Sequence, residues 1–220
     1  MKNIVLNIPH SSKERGSLGW DGDIRKEIDR WTDVETDRIF SNGRCAAVIF
    51  PYSRFWCDAE RLPDDKLGEI GQGICYTSFN GCRRDVSSVK GKVIEAYMEH
   101  RKKLQALITE DTLVIDCHSF PEDLSDTDIC IGYNEDWSKP EEEFLNKMKK
   151  YFEGFGYSVA FNEPYSNSIT PPMPFHYKSV MIELNKRIYM HGGEPSEEHI
   201  SKLNGILDGL YKNILKEWTY

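Results

Sequence analysis

A chain of 220 residues with 39% hydrophobic and 29% charged residues buries enough apolar surface for one compact domain, residues 1–220, and shows no internal repeat or dividing linker. Its formal net charge of -8, with lysines and arginines scattered along the chain, argues against nucleic acid and membrane surfaces as partners. The start, MKNIVLNIPH, is too short and too broken at Asn7 and Pro9 for a signal peptide or a spanning helix, so the cytoplasm is the expected compartment.

The run NIVLNI reads as a buried strand, and Pro9 turns it into a loop that begins with His10, Ser11 and Ser12. Residues 21 to 40 carry Ile24, Ile28, Trp31, Val34 and Ile39 at a loosely helical period and close at Asn42-Gly43. Cys45 to Phe50 is expected as a second buried strand. From Pro63 to Arg84 the sequence is polar, glycine-punctuated and aperiodic, which predicts a long functional loop or loose hairpin. Ser87 or Ser88 can cap a helix that runs to about Thr109, with Val93, Ile94, Tyr97, Leu104, Leu107 and Ile108 as its apolar stripe.

TLVID then predicts a strand that ends at Cys117-His118-Ser119. Ser138-Lys139-Pro140-Glu141 has the spacing of a capping box and predicts a helix to about Glu153. YSVAF and SVMIEL read as strands, the latter with Glu183 near its end. A last helix from Ser196 carries Ile200, Leu203, Leu207, Leu210, Ile214 and Trp218 at helical spacing. The six cysteines form no CxxC pair, so free thiols are expected and a four-cysteine zinc site is excluded. Alternating strands and amphipathic helices predict an α/β fold, a three-layer α/β/α sandwich around a mixed, largely parallel sheet.

Ligand sites in open α/β sheets gather beyond the carboxyl ends of the strands. His10, His118 and Glu183 occupy three such ends, and Arg54, Asp58, Glu60 and Arg61 follow a fourth. Two neutral imidazoles and a carboxylate form a common catalytic zinc shell, beside which a further carboxylate takes a proton from water. Glu183 lies in the apolar run V-M-I-E-L, where an unpaired charge costs several kcal/mol; it either reaches a polar cavity or forms a structural ion pair with an arginine. Asp116 stands two residues before His118 on the same strand face, where a carboxylate can fix the imidazole's tautomer. Cys117 points to the opposite face from His118 and cannot form a dyad with it, and no G-x-S-x-G elbow supports a serine nucleophile.

These residues resemble the motifs of the N-formylglutamate amidohydrolase family, in order from about residue 4 to 190. Pro9-His10-Ser11, Thr32-Asp33 with Asp37, Ser53-Arg54, Asp58-Ala59-Glu60-Arg61, Asp116-Cys117-His118-Ser119, Asn162-Glu163-Pro164-Tyr165 and Ile182-Glu183-Leu184-Asn185 carry the likeness. That family is similar in turn to zinc carboxypeptidases, which implies a carboxypeptidase-like (phosphorylase/hydrolase-like) sandwich that binds Zn2+ or another divalent metal. The resemblance implies His10, His118 and an acid as metal ligands, with Asp33 matching the family's segment and Asp37 and Glu14 as alternatives. It further implies Glu183 as general base, Arg54 against the scissile carbonyl, and Arg61 with Asn162 as substrate-binding residues. Asp58, Asp116 and Ser119 would support the ligands from behind.

The implied substrate is a small N-acylated, N-formyl acidic amino acid. Glu60 departs from the family pattern, because it puts an acid where asparagine would help bind a substrate carboxylate. Two rivals stand beside this reading: a zinc peptidase or deacylase acting on another acylated amine such as a peptidoglycan fragment, and a non-catalytic small-ligand binding domain. His100, His176, His191 and His199 read mainly as surface or packing residues, although Tyr97-x-x-His100 also matches the family. The oligomeric state is not legible.

Overall fold

The computed structural model describes residues 2–14, 19–217 and 220. In chain order it contains β1 (Asn3–Ile8), α1 (Arg25–Trp31), α2 (Thr36–Phe40), β2 (Ala46–Ile49), the short hairpin β3 (Ser78–Phe79) and β4 (Cys82–Arg83), and α3 (Lys90–Gln105). It continues with β5 (Thr112–Phe120), β6 (Ile129–Gly132), α4 (Glu142–Glu153), β7 (Val159–Phe161), β8 (Lys178–Asn185), the two-residue strands β9 (Met190–His191) and β10 (Glu194–Pro195), and α5 (Glu197–Lys216).

Six strands form one sheet in the order β2-β1-β5-β8-β6-β7. Its pairs are parallel except for β6 against β8, so the sheet is mixed and largely parallel, as expected. Period-two alternation divides the central strands between two environments. Ile4, Leu6 and Ile8 of β1, Leu113, Ile115 and Cys117 of β5, and Val180, Ile182 and Leu184 of β8 enter one large core, which α2, α4 and α5 cover. Val5 and Val114 face the other way, toward Leu104 of α3 and Ile108 just beyond it. Helices thus flank the sheet on both faces. No described helix is long and apolar enough to cross a membrane.

Several local expectations need correction. The segment 21 to 40 is two helices, because Thr32 Oγ1 donates to Ile28 O and closes α1, and Glu35 takes a left-handed φ of 66° before α2. β2 is not buried: it is the sheet's edge strand, and Ile49 is 44% exposed. Neither Ser87 nor Ser88 caps α3, which begins at Lys90. The side chains α3 buries are Val93, Tyr97, His100 and Leu104, whereas Ile94 and Leu107 are exposed. Ser138 forms no capping box: it is buried, and its hydroxyl donates to Asp136 Oδ1. β6 was not expected as a strand, since ICIG is short and lacks alternation. Trp218 lies outside the described residues, while Ile200, Leu203, Leu207, Leu210 and Ile214 of α5 are buried as predicted. The cysteines are free.

Candidate active site

The sheet's register brings the predicted residues together. His118 of β5 is paired with Glu183 of β8, and Asn7 of β1 with Asp116 of β5. All four side chains leave the sheet on the side opposite the large core, toward the carboxyl ends of the strands. His10 lies two residues beyond β1. The turn between α1 and α2 supplies Asp33, whose backbone N–H donates to His10 O at 3.0 Å, and Thr36 Oγ1 braces the same turn by donating to Asp33 O at 2.7 Å. Tyr189 ties these parts further: its Oη lies 3.0 Å from Val34 O and 2.9 Å from Ser119 Oγ. Buried Lys186 donates from Nζ to Arg30 O, at the end of α1.

The rings of His10 and His118 are 5.2 Å apart. Asp33 Oδ2 lies 2.9 Å from His118 Nδ1 and 3.8 Å from His10 Nδ1. Donors bound tetrahedrally at about 2 Å from zinc stand roughly 3.3 Å from one another, so these three atoms have the spacing of a half-formed metal shell. Two further observations fit a cation there. His10 Nδ1 is buried and has no hydrogen-bond partner. Each imidazole also turns its other nitrogen to a carboxylate, as ligating histidines do: His10 Nε2 lies 2.9 Å from Asp58 Oδ1, and His118 Nε2 lies 3.0 Å from Glu60 Oε1 and 3.3 Å from Asp116 Oδ1. Of the acids weighed as third ligand, Asp33 is buried and meets both histidines; Glu14 is exposed and Asp37 only half-buried on α2.

Charge is dense and largely buried here. Burial opposes ionisation of Asp33, but the two neighbouring histidines, His118 hydrogen-bonded to it and His10 beside it, outweigh burial and hold its carboxyl well below the usual range. Asp58 is likewise held low against burial, by His10, Arg54 and Arg61. Asp116 is lowered to about 2, His118 outweighing burial. Glu183 goes the other way: burial, reinforced by Asp33 and Glu60, pushes its carboxyl up to about 8 against the pull of His118. Its Oε2 is buried without a partner, and Glu183 forms no ion pair with an arginine among the described residues.

A cavity of about 480 Å³ opens onto this cluster. Asp33, Arg54, Glu60, Arg61, His118, Ser119 and Glu183 all contribute to its wall, with aromatic rings such as Trp31, Phe55, Tyr76 and Phe79 nearer the loops. Arg54 is loosely held, 3.4 Å from Asp58 Oδ2, and its buried Nε has no partner. Arg61 is more engaged: Nε donates to Gln72 O at 3.1 Å, and Asp58 and Asp65 carboxylates lie at 3.5 and 3.6 Å.

The structure does not bring Asn162 to the cavity. Its left-handed backbone, φ 53°, ends β7, and its Oδ1 accepts from Tyr133 N–H, so the substrate-binding role expected for it is not supported by its position; Tyr165 and Ser166 reach the wall instead. Of the two readings of His100, packing holds and surface does not: it is buried, and its Nε2 lies 2.8 Å from Asn7 Oδ1. Asn7, Tyr76, Tyr189 and Lys186 were not singled out as site residues. Only Asn7 gave a signal, as a polar side chain among the apolar residues that follow Asn3 in β1. His176, His191 and His199 lie away from the centre, His176 stacked on Trp137 and the other two against each other.

The sequence matches the N-formylglutamate amidohydrolase family over residues 2–190. Among solved structures, the chain is similar to an N-formylglutamate amidohydrolase from Ralstonia eutropha JMP134, with a TM-score of 0.76 at 17% identity over 97% of this chain and 94% of the other. A gene product of Agrobacterium tumefaciens is similar with a TM-score of 0.68 at 17% identity, covering 97% of this chain and 90% of its own. At that identity both establish the shared fold. No curated protein sequence matches the chain.

Proposed function

The chain belongs to the N-formylglutamate amidohydrolase family, and from that premise we propose that it is a metal-dependent hydrolase of the amide bond in a small N-acylated, N-formyl acidic amino acid. The observation that carries this reading is the buried, unpartnered Nδ1 of His10, facing the same small space as Asp33 Oδ2 and His118 Nδ1. His10, Asp33 and His118 would hold Zn2+ or a similar divalent ion. Such an ion, when bound, acts as a Lewis acid and brings the pKa of a water molecule to about 7.

The remaining roles fall to the chain's own side chains. Glu183 accepts a proton from the attacking water and later delivers it to the amine nitrogen that leaves, so that water and amide yield formate and the free amino acid. Arg54, with a donor to spare, stabilises negative charge as it develops on the substrate's carbonyl oxygen. Arg61 is placed to receive a carboxylate, through the planar fork of its guanidinium.

A second reading is favoured by one feature. Glu60 stands against His118 inside the cavity, and Arg61 already faces Asp58 and Asp65, so a substrate that offers no second carboxylate would suit this wall better. Metal content and hydrolysis distinguish the readings. About one equivalent of zinc, activity on N-formylglutamate, and loss of that activity on chelation with recovery on zinc addition are expected. Turnover of other N-acyl amines or dipeptides in its place selects the second reading. A chain that holds no divalent metal and hydrolyses none of these substrates refutes both and leaves the non-catalytic binding domain.

A further inference from the structure

A line of buried polar contacts runs backwards from the site through the sheet. His118 Nε2 lies 3.3 Å from Asp116 Oδ1, Asn7 Nδ2 donates to the same Oδ1 at 2.7 Å, and His100 Nε2 lies 2.8 Å from Asn7 Oδ1. Asn7 is fully buried, Asp116 is 2% exposed and His100 is 3% exposed. A second bond, from Ile169 N–H to Asp116 Oδ2 at 3.0 Å, holds the other carboxylate oxygen. Three buried polar side chains in a row are costly unless each is satisfied, so their directions are constrained.

The direction follows from chemistry. An amide oxygen only accepts, so His100 Nε2 must carry the proton that bonds Asn7 Oδ1. The amide is thereby held with its NH2 toward Asp116. Reversed, it would set oxygen against carboxylate. Asp116, accepting from Asn7 and Ile169, keeps its remaining capacity for an N–H on His118 Nε2, so that a cation can take the place of the hydrogen bond that His118 Nδ1 makes with Asp33 Oδ2 at 2.9 Å. Glu60 Oε1 approaches the same Nε2 at 3.0 Å, but from the cavity and with a partly exposed side chain; among the two carboxylates, Asp116 is the one fixed from behind. Phe50 in turn packs edge-on against the His100 ring at 5.2 Å.

From this chain we infer that Asn7 and His100 are positioning residues for the metal ligand His118, acting through Asp116. The inference rests on the proposed metal site but adds two residues that touch neither ion nor substrate. It is tested by zinc dissociation constants, from competition with a chromophoric chelator, for the parent chain and for His100→Leu, Asn7→Leu, the double variant and His100→Gln. Stability of each chelated protein is measured separately by denaturant.

Removing a support of this kind costs about 10- to 100-fold in metal affinity. His100→Leu should weaken zinc binding about 10-fold and Asn7→Leu about 10- to 100-fold, the double variant no more than Asn7→Leu alone, and His100→Gln should recover most of the loss by restoring an N–H. Single variants that bind zinc within about twofold of the parent while losing only stability overturn the inference, as do losses that simply add. If Asn7→Leu does not fold, His100→Leu against His100→Gln decides alone. A parent chain that binds no zinc overturns the metal site and this inference together.

Discussion

The two faces of the central sheet are built from the same three strands, yet they do different work. On one, the side chains that β1, β5 and β8 contribute, from Ile4, Leu6 and Ile8 to Val180, Ile182 and Leu184, are apolar and buried. On the other, Asn7, Asp116, His118 and Glu183 alternate with those same apolar residues, and charge accumulates toward the carboxyl ends of the strands. The lesson is one of division: the apolar face supplies the stability that allows the opposite face to hold several carboxylates and two imidazoles out of water. Glu183 and Leu184 are neighbours in sequence and belong to opposite sides of that division.

The sharpest way to break the comparison is to alter those neighbours separately. Glu183→Gln should lower kcat by about 10²- to 10⁴-fold, with zinc retained and the fold intact, as read by steady-state kinetics and metal analysis. Unchanged turnover would remove Glu183 from the mechanism. Still on the polar side, Arg54→Lys should reduce kcat by about 10²-fold, with a smaller change in KM, because the interaction at stake forms as the carbonyl oxygen gains charge. Leu184→Ala should do the reverse, costing about 2–5 kcal/mol of unfolding free energy in denaturant melts while the folded fraction keeps its kcat.

The smallest effect is a pH slope. Burial, with His10 nearby, lowers His100 from 6.5 to about 4. Between those values the unfolded chain binds a proton that the folded chain does not, so this residue makes stability fall as pH drops through that window. His100→Gln should flatten the decline between about pH 6.5 and 4, as read by denaturant midpoints; an unaltered slope would mean that His100 does not ionise on unfolding as described.

How much of this was legible beforehand follows the same division. Strands β1, β5 and β8 and helix α5 announce themselves through apolar patterning, and their ends locate His10, His118 and Glu183. Asp33 was harder, because its position depends on a break between two short helices that the loose period of Ile24 to Ile39 does not reveal. β6 escaped notice since four residues with a terminal glycine carry little periodic signal, and its antiparallel direction is set by tertiary pairing with β8. His100 was read mainly as a surface or packing residue because Glu99 and Arg101 flank it, yet helical geometry turns its neighbours outward and sends the ring inward to Asn7. Glu60 was visible as a departure, but its contact with His118 arises only once the chain is folded.

Tyr189 carries a consequence for how the proposed metal centre would acquire an ion. A single phenolic oxygen latches the turn that bears Asp33 to the strand that bears His118, and the backbone of Asp33 is fastened to His10. Folding alone therefore assembles the donor triangle, and loading with a cation would demand little rearrangement of the polypeptide. Under the proposed function, the centre would be a socket prepared before its plug arrives.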